Sequence, residues 1–235
     1  MQTRRFIQCD VFTPTPTLGN ALAVVVDGDG LDDITMHRFA AWLHCGGQSK
    51  QAGFVRQECG VGIVEIDSQD PGHLAFVAPP TEIRPMQADN FEAIVEALQI
   101  SRQQILHSAE LDNGPVWQAF QLDSADSVLA LDSARVRWPE FKAIGLIGAH
   151  ADGGECQYEV RMLAPSSGMS EDPITGSLNS ALAHWLQSRG QLTQPVTVAQ
   201  GTRIERHGRV SIRPRGDGVM IGGQTHILIE GEVQL

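Results

Sequence analysis

The residues whose types and spacing carry chemistry are Glu171-Asp172-Pro173-Ile174-Thr175-Gly176-Ser177, which stand directly before an amphipathic run. Leu178, Ala181, Leu182, Trp185 and Leu186 recur at helical spacing, Arg189 falls in the last turn and Gly190 follows as a stop. This spacing predicts a helix starting at or just inside Ser177. The motif is then a helix N-terminus, where the N–H groups of Gly176, Ser177 and Leu178 lack helical acceptors and favour a carboxylate or phosphate. Asp172 sets a carboxylate beside that anion site. A carboxylate there repels the ligand unless it is protonated or is handling a proton, so the pairing points to acid/base work on a small anionic substrate. An ordinary cap, with Asp172 or Ser177 satisfying the first turn, accounts for the same residues without chemistry.

Composition bounds what that chemistry serves. A chain of 235 residues with 42% hydrophobic and 19% charged residues has the makeup of a globular protein of one large or two small domains. Lys and Arg number 17 against 28 Asp and Glu, a formal charge of -11, which repels a phosphate backbone and argues against nucleic-acid binding. No apolar run is long enough to span a bilayer, and a cytoplasmic protein without membrane partners is expected. Cys9, Cys45, Cys59 and Cys156 lack metal-site spacing, so free thiols are expected. His37 and His44 fall two turns apart on one predicted helix, too far for shared metal ligation. Neither a metal nor a cofactor is expected.

The elements that must position the motif follow from pattern. Strands are expected at residues 5–13, 21–26, 53–57, 62–66, 74–78, 116–122, 127–131 and 158–163, with another after Phe141. Short strands are expected at 196–199, 210–213, 219–221, 226–229 and 232–235. Asp32 or Asp33 is expected to cap a helix running through Met36, Phe39, Ala40 and Leu43 to Gly46-Gly47, and Asn90 a second from Phe91 to Leu98. Short strands at hairpin spacing, broken by single helices, predict an α+β fold of mostly antiparallel sheets curled around a helix. The order of elements repeats, which predicts two halves of related design, residues 1–84 and 85–235.

These segments together resemble the phenazine-biosynthesis PhzF-like family, within the diaminopimelate-epimerase-like fold. The resemblance rests on Arg5-Phe6 to Asp10-Val11-Phe12-Thr13 with Gly19-Asn20, on Gln57-Glu58-Cys59-Gly60, and on Asp112-Asn113-Gly114-Pro115. It continues through Glu159-Val160-Arg161 with Ala164-Pro165, the Glu171 to Ser177 opener, and Gln200-Gly201-Thr202. It implies two pseudo-symmetric domains, each a curled sheet or barrel wrapped on a central helix, with a small carboxylate substrate between them. It also implies cofactor-independent isomerase chemistry in which Asp172 and Ser177 are catalytic. Thr175, Gly176, Ser177 and Asn20 would bind substrate. A homodimer is expected because an apolar face left bare where strands are missing is costly in a monomer and a partner chain would cover it.

The first half departs from the family pattern. The family's Asn-Leu-Ser-Glu-Thr segment, with its catalytic Glu, and its Gly-His-Pro-Thr helix opener have no counterpart, so the first domain reads as truncated by several dozen residues. Lys50, Gln51, Glu58, Cys45 and Cys59 are poor substitutes for the missing base. Glu205 stands before Arg206 where the family has Gly, which adds bulk and charge at that turn. Two readings follow: an isomerase with altered or lost activity, or a noncatalytic small-anion-binding or interaction protein derived from this family.

Overall fold

The run Ile144-Gly145-Leu146-Ile147-Gly148 is buried at every residue, because its strand is covered on both faces. Such a strand loses the alternation of a half-exposed one and shows instead as a short continuous apolar run. The computed structural model that contains it describes residues 2–42, 45–46, 54–59, 62–70, 72–165, 170–216 and 218–235. Packing divides the chain into two units, Met1–Val77 with Gly222–Leu235, and Ala78–Ile221. This division differs from the boundary expected near residue 84: the chain's last strand starts in the second unit and ends in the first.

In the first unit, β1 (Thr3–Val11) pairs antiparallel with β2 (Asn20–Val25), and α1 (Asp33–Trp42) leads to the two-residue β3 (Cys45–Gly46), parallel to β2. Then follow β4 (Phe54–Cys59), β5 (Gly62–Asp70) and β6 (His73–Val77), an antiparallel meander. The Asp32 carboxylate accepts the Thr35 N–H at 2.7 Å, so Asp32 caps α1 as expected.

The second unit opens with β7 (Glu82–Arg84), α2 (Ala88–Leu98), β8 (Ile105–Asp112), β9 (Val116–Leu122) and α3 (Ala125–Ala130). Next come β10 (Ile144–Ala149), β11 (Tyr158–Leu163), β12 (Glu171–Asp172), α4 (Gly176–Ser188), β13 (Val196–Gln200) and β14 (Gly208–Arg215). The final strand, β15 (Gly218–Gln234), returns along β1 in the first unit. The second unit's sheet runs β14-β13-β11-β10-β9-β8-β7. Its strands pair antiparallel except β9 with β10 and β11 with β13, each pair joined by a connection that contains a helix, α3 or α4.

One face of this sheet packs Phe120, Leu122, Ile144, Leu146 and Leu163 against Ile94, Val95 and Leu98 of α2 and Val128 of α3. The other face receives α4, which is buried nearly all round, at Leu178, Asn179, Ser180, Ala181, Leu182, Ala183, Trp185 and Leu186. Gly145 permits the contact: a Cβ there would stand 2.5 Å from Leu178 Cδ1. The chain is therefore a mixed α+β fold, mostly sheet, whose second unit wraps a central helix.

Two local expectations are corrected, and one strand was missed. Residues 127–131 do not form a strand; Ala125–Ala130 is helical because the Ser124 hydroxyl accepts the Ser127 N–H and caps the turn. Asn90 does not cap α2, which starts at Ala88 after Gln87, a residue that makes no side-chain capping bond. β8 was hidden in the sequence, since Ile105–Asp112 interrupts its apolar positions with His107, Ser108 and Glu110.

Candidate functional site

The opener is built from its flanks inward. Glu171 and Asp172 form β12 against Met162 and Leu163 of β11, so the residues before α4 are fixed to the sheet. Beneath them, Arg161 and Glu171 form a fully buried pair, with Nε to Oε1 at 2.9 Å and Nη2 to Oε2 at 2.6 Å. Arg161 Nη1 also donates to the carbonyls of Val128 at 2.9 Å and Leu131 at 2.7 Å, closing the end of α3. A buried charge pair is tolerated only when its hydrogen bonds are completed, and here both guanidinium edges are used.

Gln200, fully buried at the end of β13, holds the helix start. Its Oε1 accepts from the Thr175 N–H at 3.1 Å and from Asn179 Nδ2 at 2.8 Å, while its Nε2 donates to Thr175 Oγ1 at 3.0 Å. The Thr175 hydroxyl in turn donates to Asp172 Oδ2 at 2.5 Å. Asp172 is thus an oriented acceptor at the end of a hydrogen-bond chain from Gln200 through Thr175. The expected cap is different in detail: Thr175 occupies the N-cap position without a side-chain cap bond, and the Asp172 carboxylate serves Thr175 rather than the first-turn amides.

The first-turn N–H groups of Gly176, Ser177 and Leu178 find no acceptor among the described residues, and Ser177 is exposed. Asn113 steadies this turn from β8–β9, donating to the Ser177 carbonyl at 2.8 Å while accepting from Trp117 Nε1 at 3.0 Å. Asp172, Thr175, Gly176 and Ser177 therefore come together in the second unit. Asn20 lies in the first unit, half-buried at the start of β2 after a turn where the Gly19 N–H donates to the buried Asp10 carboxylate at 3.2 Å.

Around the opener, Gly201 adopts φ +89° and a Cβ there would stand 2.7 Å from the Pro173 carbonyl, so only glycine fits that approach. Glu205 sits at φ 59° in the left-handed region, the conformation for which a glycine is suited. Gln200 and Asn113 hold the opener, and spacing missed both. Both stood in segments with family resemblance, but only the tertiary contacts give them a task. Lys50 and Gln51 lie outside the described residues, as do the side chains of Cys45, Glu58 and Cys59. Cys9 and Cys156 are free and buried. Among the described residues, no group of three or more His, Cys, Asp or Glu is placed to hold a metal, and no helix is long and apolar enough to cross a membrane.

Comparison with known proteins gives this geometry a context. Residues 45–231 match the family model described as phenazine biosynthesis-like protein. Antisense-enhancing sequence 1 of Schizosaccharomyces pombe is 24% identical, covering 99% of each chain. The trans-2,3-dihydro-3-hydroxyanthranilate isomerase of Pseudomonas fluorescens is 26% identical, covering 95% of this chain and 99% of that one. The first of these alignments runs over 299 positions against 235 residues here, so several dozen positions of the relative have no counterpart. A Bacillus anthracis phenazine biosynthesis protein shares the fold at a TM-score of 0.76 with 16% identity, each chain covered completely.

Proposed function

Because the chain belongs to the phenazine biosynthesis-like family, we propose that it is an isomerase-type protein that moves a proton on a small carboxylate. The observation that carries this reading is the juxtaposition of unfilled first-turn N–H groups with an oriented carboxylate, Asp172. The amides of Gly176, Ser177 and Leu178 hold the substrate carboxylate at the positive end of α4. Asp172 takes or returns a proton at the adjacent carbon, and the Ser177 hydroxyl donates to the developing charge. Thr175 keeps the Asp172 carboxylate in place. That the Pseudomonas fluorescens relative is an isomerase supports this class of reaction.

A second reading is a noncatalytic anion binder descended from the same family. It is favoured by the several dozen positions that the Schizosaccharomyces pombe relative has and this chain lacks. The test incubates the protein in deuterated water with cyclic and acyclic carboxylates and follows exchange at carbon by NMR. Exchange that Asp172→Asn abolishes supports the isomerase and overturns the binder; binding with no exchange across the panel does the reverse. Asn at this position can still accept from Thr175, so the variant removes the proton-handling group and keeps the local geometry.

The proposal includes a cytoplasmic homodimer. Ile227 and Ile229, exposed by 56% and 58% on β15, supply apolar surface for a second copy. A monodisperse monomer by light scattering at micromolar concentration would contradict the dimer.

A further inference from the structure

Three consecutive residues tie the opener to a buried carboxylate on β11. Gln200 holds Thr175 and Asn179, Gly201 approaches the Pro173 carbonyl, and the Thr202 side chain hydrogen-bonds the carboxylate of Glu159. The Gly201 carbonyl accepts the Ile204 N–H at 3.0 Å and the Arg206 N–H at 2.9 Å, which keeps the three in one tight turn. Glu159 is 1% exposed at its side chain, and its Oε2 lies 3.2 Å from Nε2 of His150, which is 30% exposed. The carboxylate is buried, yet one of its two partners reaches solvent. His150, Glu155 and Cys156 from the β10–β11 connection and Arg209 from β14 surround it, and Arg209 Nε donates to Glu155 at 3.0 Å. Asp152 and Tyr158 border His150 on a neighbouring cavity. A glutamine would make the same two hydrogen bonds at a smaller desolvation cost, so a group that ionises in this place has a use for its charge.

We propose that Glu159 is a positioning residue for the opener: its charge, shared with His150, sets how Thr202 is held, and the turn passes that setting through Gln200 to Thr175 and Asp172. A hydrogen bond to an ionised carboxylate is stronger than one to its neutral form, so protonation loosens the hold on Thr202. A change of charge at the partly exposed His150 thus reaches the start of α4 without any ligand. The role in proton transfer rests on the isomerase reading, whereas the tie itself is measurable without substrate.

The test records backbone-assigned NMR spectra of the intact protein from about pH 4 to 8. Asp172→Asn serves as the background, so that Asp172 itself adds no titration. The expected result is one pH step shared by the His150 ring and the amides of Thr202, Thr175 and Gly176. Thr202 is exposed, so Thr202→Val replaces its hydroxyl by a methyl without disturbing the core. That variant should keep the step at His150 and lose it at Thr175 and Gly176, and Thr202→Ser should restore it. A merely structural contact would displace these amides without removing a pH step. Amides of Thr175 and Gly176 that never follow His150, or that still follow it in Thr202→Val, overturn the proposal. With Asp172 intact, Glu159→Gln should slow carbon exchange at saturating carboxylate by about tenfold or more with KM little changed, as expected for a displaced group. Unchanged exchange in that variant also overturns the proposal. Exchange absent from the wild type would overturn the isomerase reading alone, since the pH step still decides the tie.

Discussion

Gln200 grips Thr175 by both main chain and side chain: its Oε1 accepts the Thr175 N–H at 3.1 Å and its Nε2 donates to Thr175 Oγ1 at 3.0 Å. Through this double contact a residue at the end of β13 sets the position of Asp172, which Thr175 reaches with its hydroxyl. Gln200→Leu, close in volume but without the amide, leaves Thr175 N and Asn179 Nδ2 without that acceptor. We expect a stability loss of about 2–4 kcal/mol from groups buried without a partner. Urea denaturation measures it, and a loss within error would show that Gln200 is dispensable.

The Arg161–Glu171 pair predicts an ordering of variants. Arg161→Met strands a buried carboxylate and opens the carbonyls of Val128 and Leu131, at an expected cost of about 3–5 kcal/mol. Pairing it with Glu171→Leu removes the stranded charge, so the double variant should be more stable than the single one. Equal or lower stability of the double variant, read from the same denaturation curves, would contradict this.

Glu205 predicts a gain. Its φ of 59° is one that a side chain adopts at a cost and glycine adopts freely. Glu205→Gly is expected to stabilise the protein by about 0.5–1 kcal/mol, the steric relief being partly offset by greater freedom of the unfolded chain. A lower thermal midpoint for the variant would show that Glu205 makes a compensating contact.

Glu159 predicts a pH dependence. Burial pushes its carboxyl up from the ordinary value of 4.5, against the opposing effects of Thr202, His150 and Arg209. An acid with a raised folded value holds its proton more tightly in the native state. Its favourable contribution is therefore full below the unfolded value and is lost as pH rises through the folded value. Relative to Glu159→Gln, the wild type should lose thermal stability as pH rises from about 4 towards neutrality. A constant difference between the two over that range would contradict the raised value.

Much of this fold was legible because local pattern and tertiary role agree. Residues 158–163 were expected as a strand and form β11, and α4 starts at Gly176, one residue before the Ser177 start that the Leu178 periodicity predicted. The segment from Ser127 to Leu131 misled because Val128-Leu129-Ala130-Leu131 is a short apolar run, which period alone does not assign to strand or helix. Its helix depends on the Ser124 cap and on Arg161, a residue distant in sequence that receives the final carbonyls. At the site, the opener's residue types announced the helix start. The hold of Gln200 on Thr175 was not readable, since it joins the end of β13 to the start of α4 across a fold that spacing does not measure.

The central claim is that the start of α4 is a carboxylate-holding wall with Asp172 set beside it. The most direct measurement follows the backbone amide resonances of Gly176, Ser177 and Leu178 while a small aromatic carboxylate such as benzoate is added. The account predicts saturable shifts at these three amides and at Asp172, with no such shifts from the matching uncharged amide. Shifts absent at Gly176, Ser177 and Leu178, or equal for the uncharged compound, would contradict it.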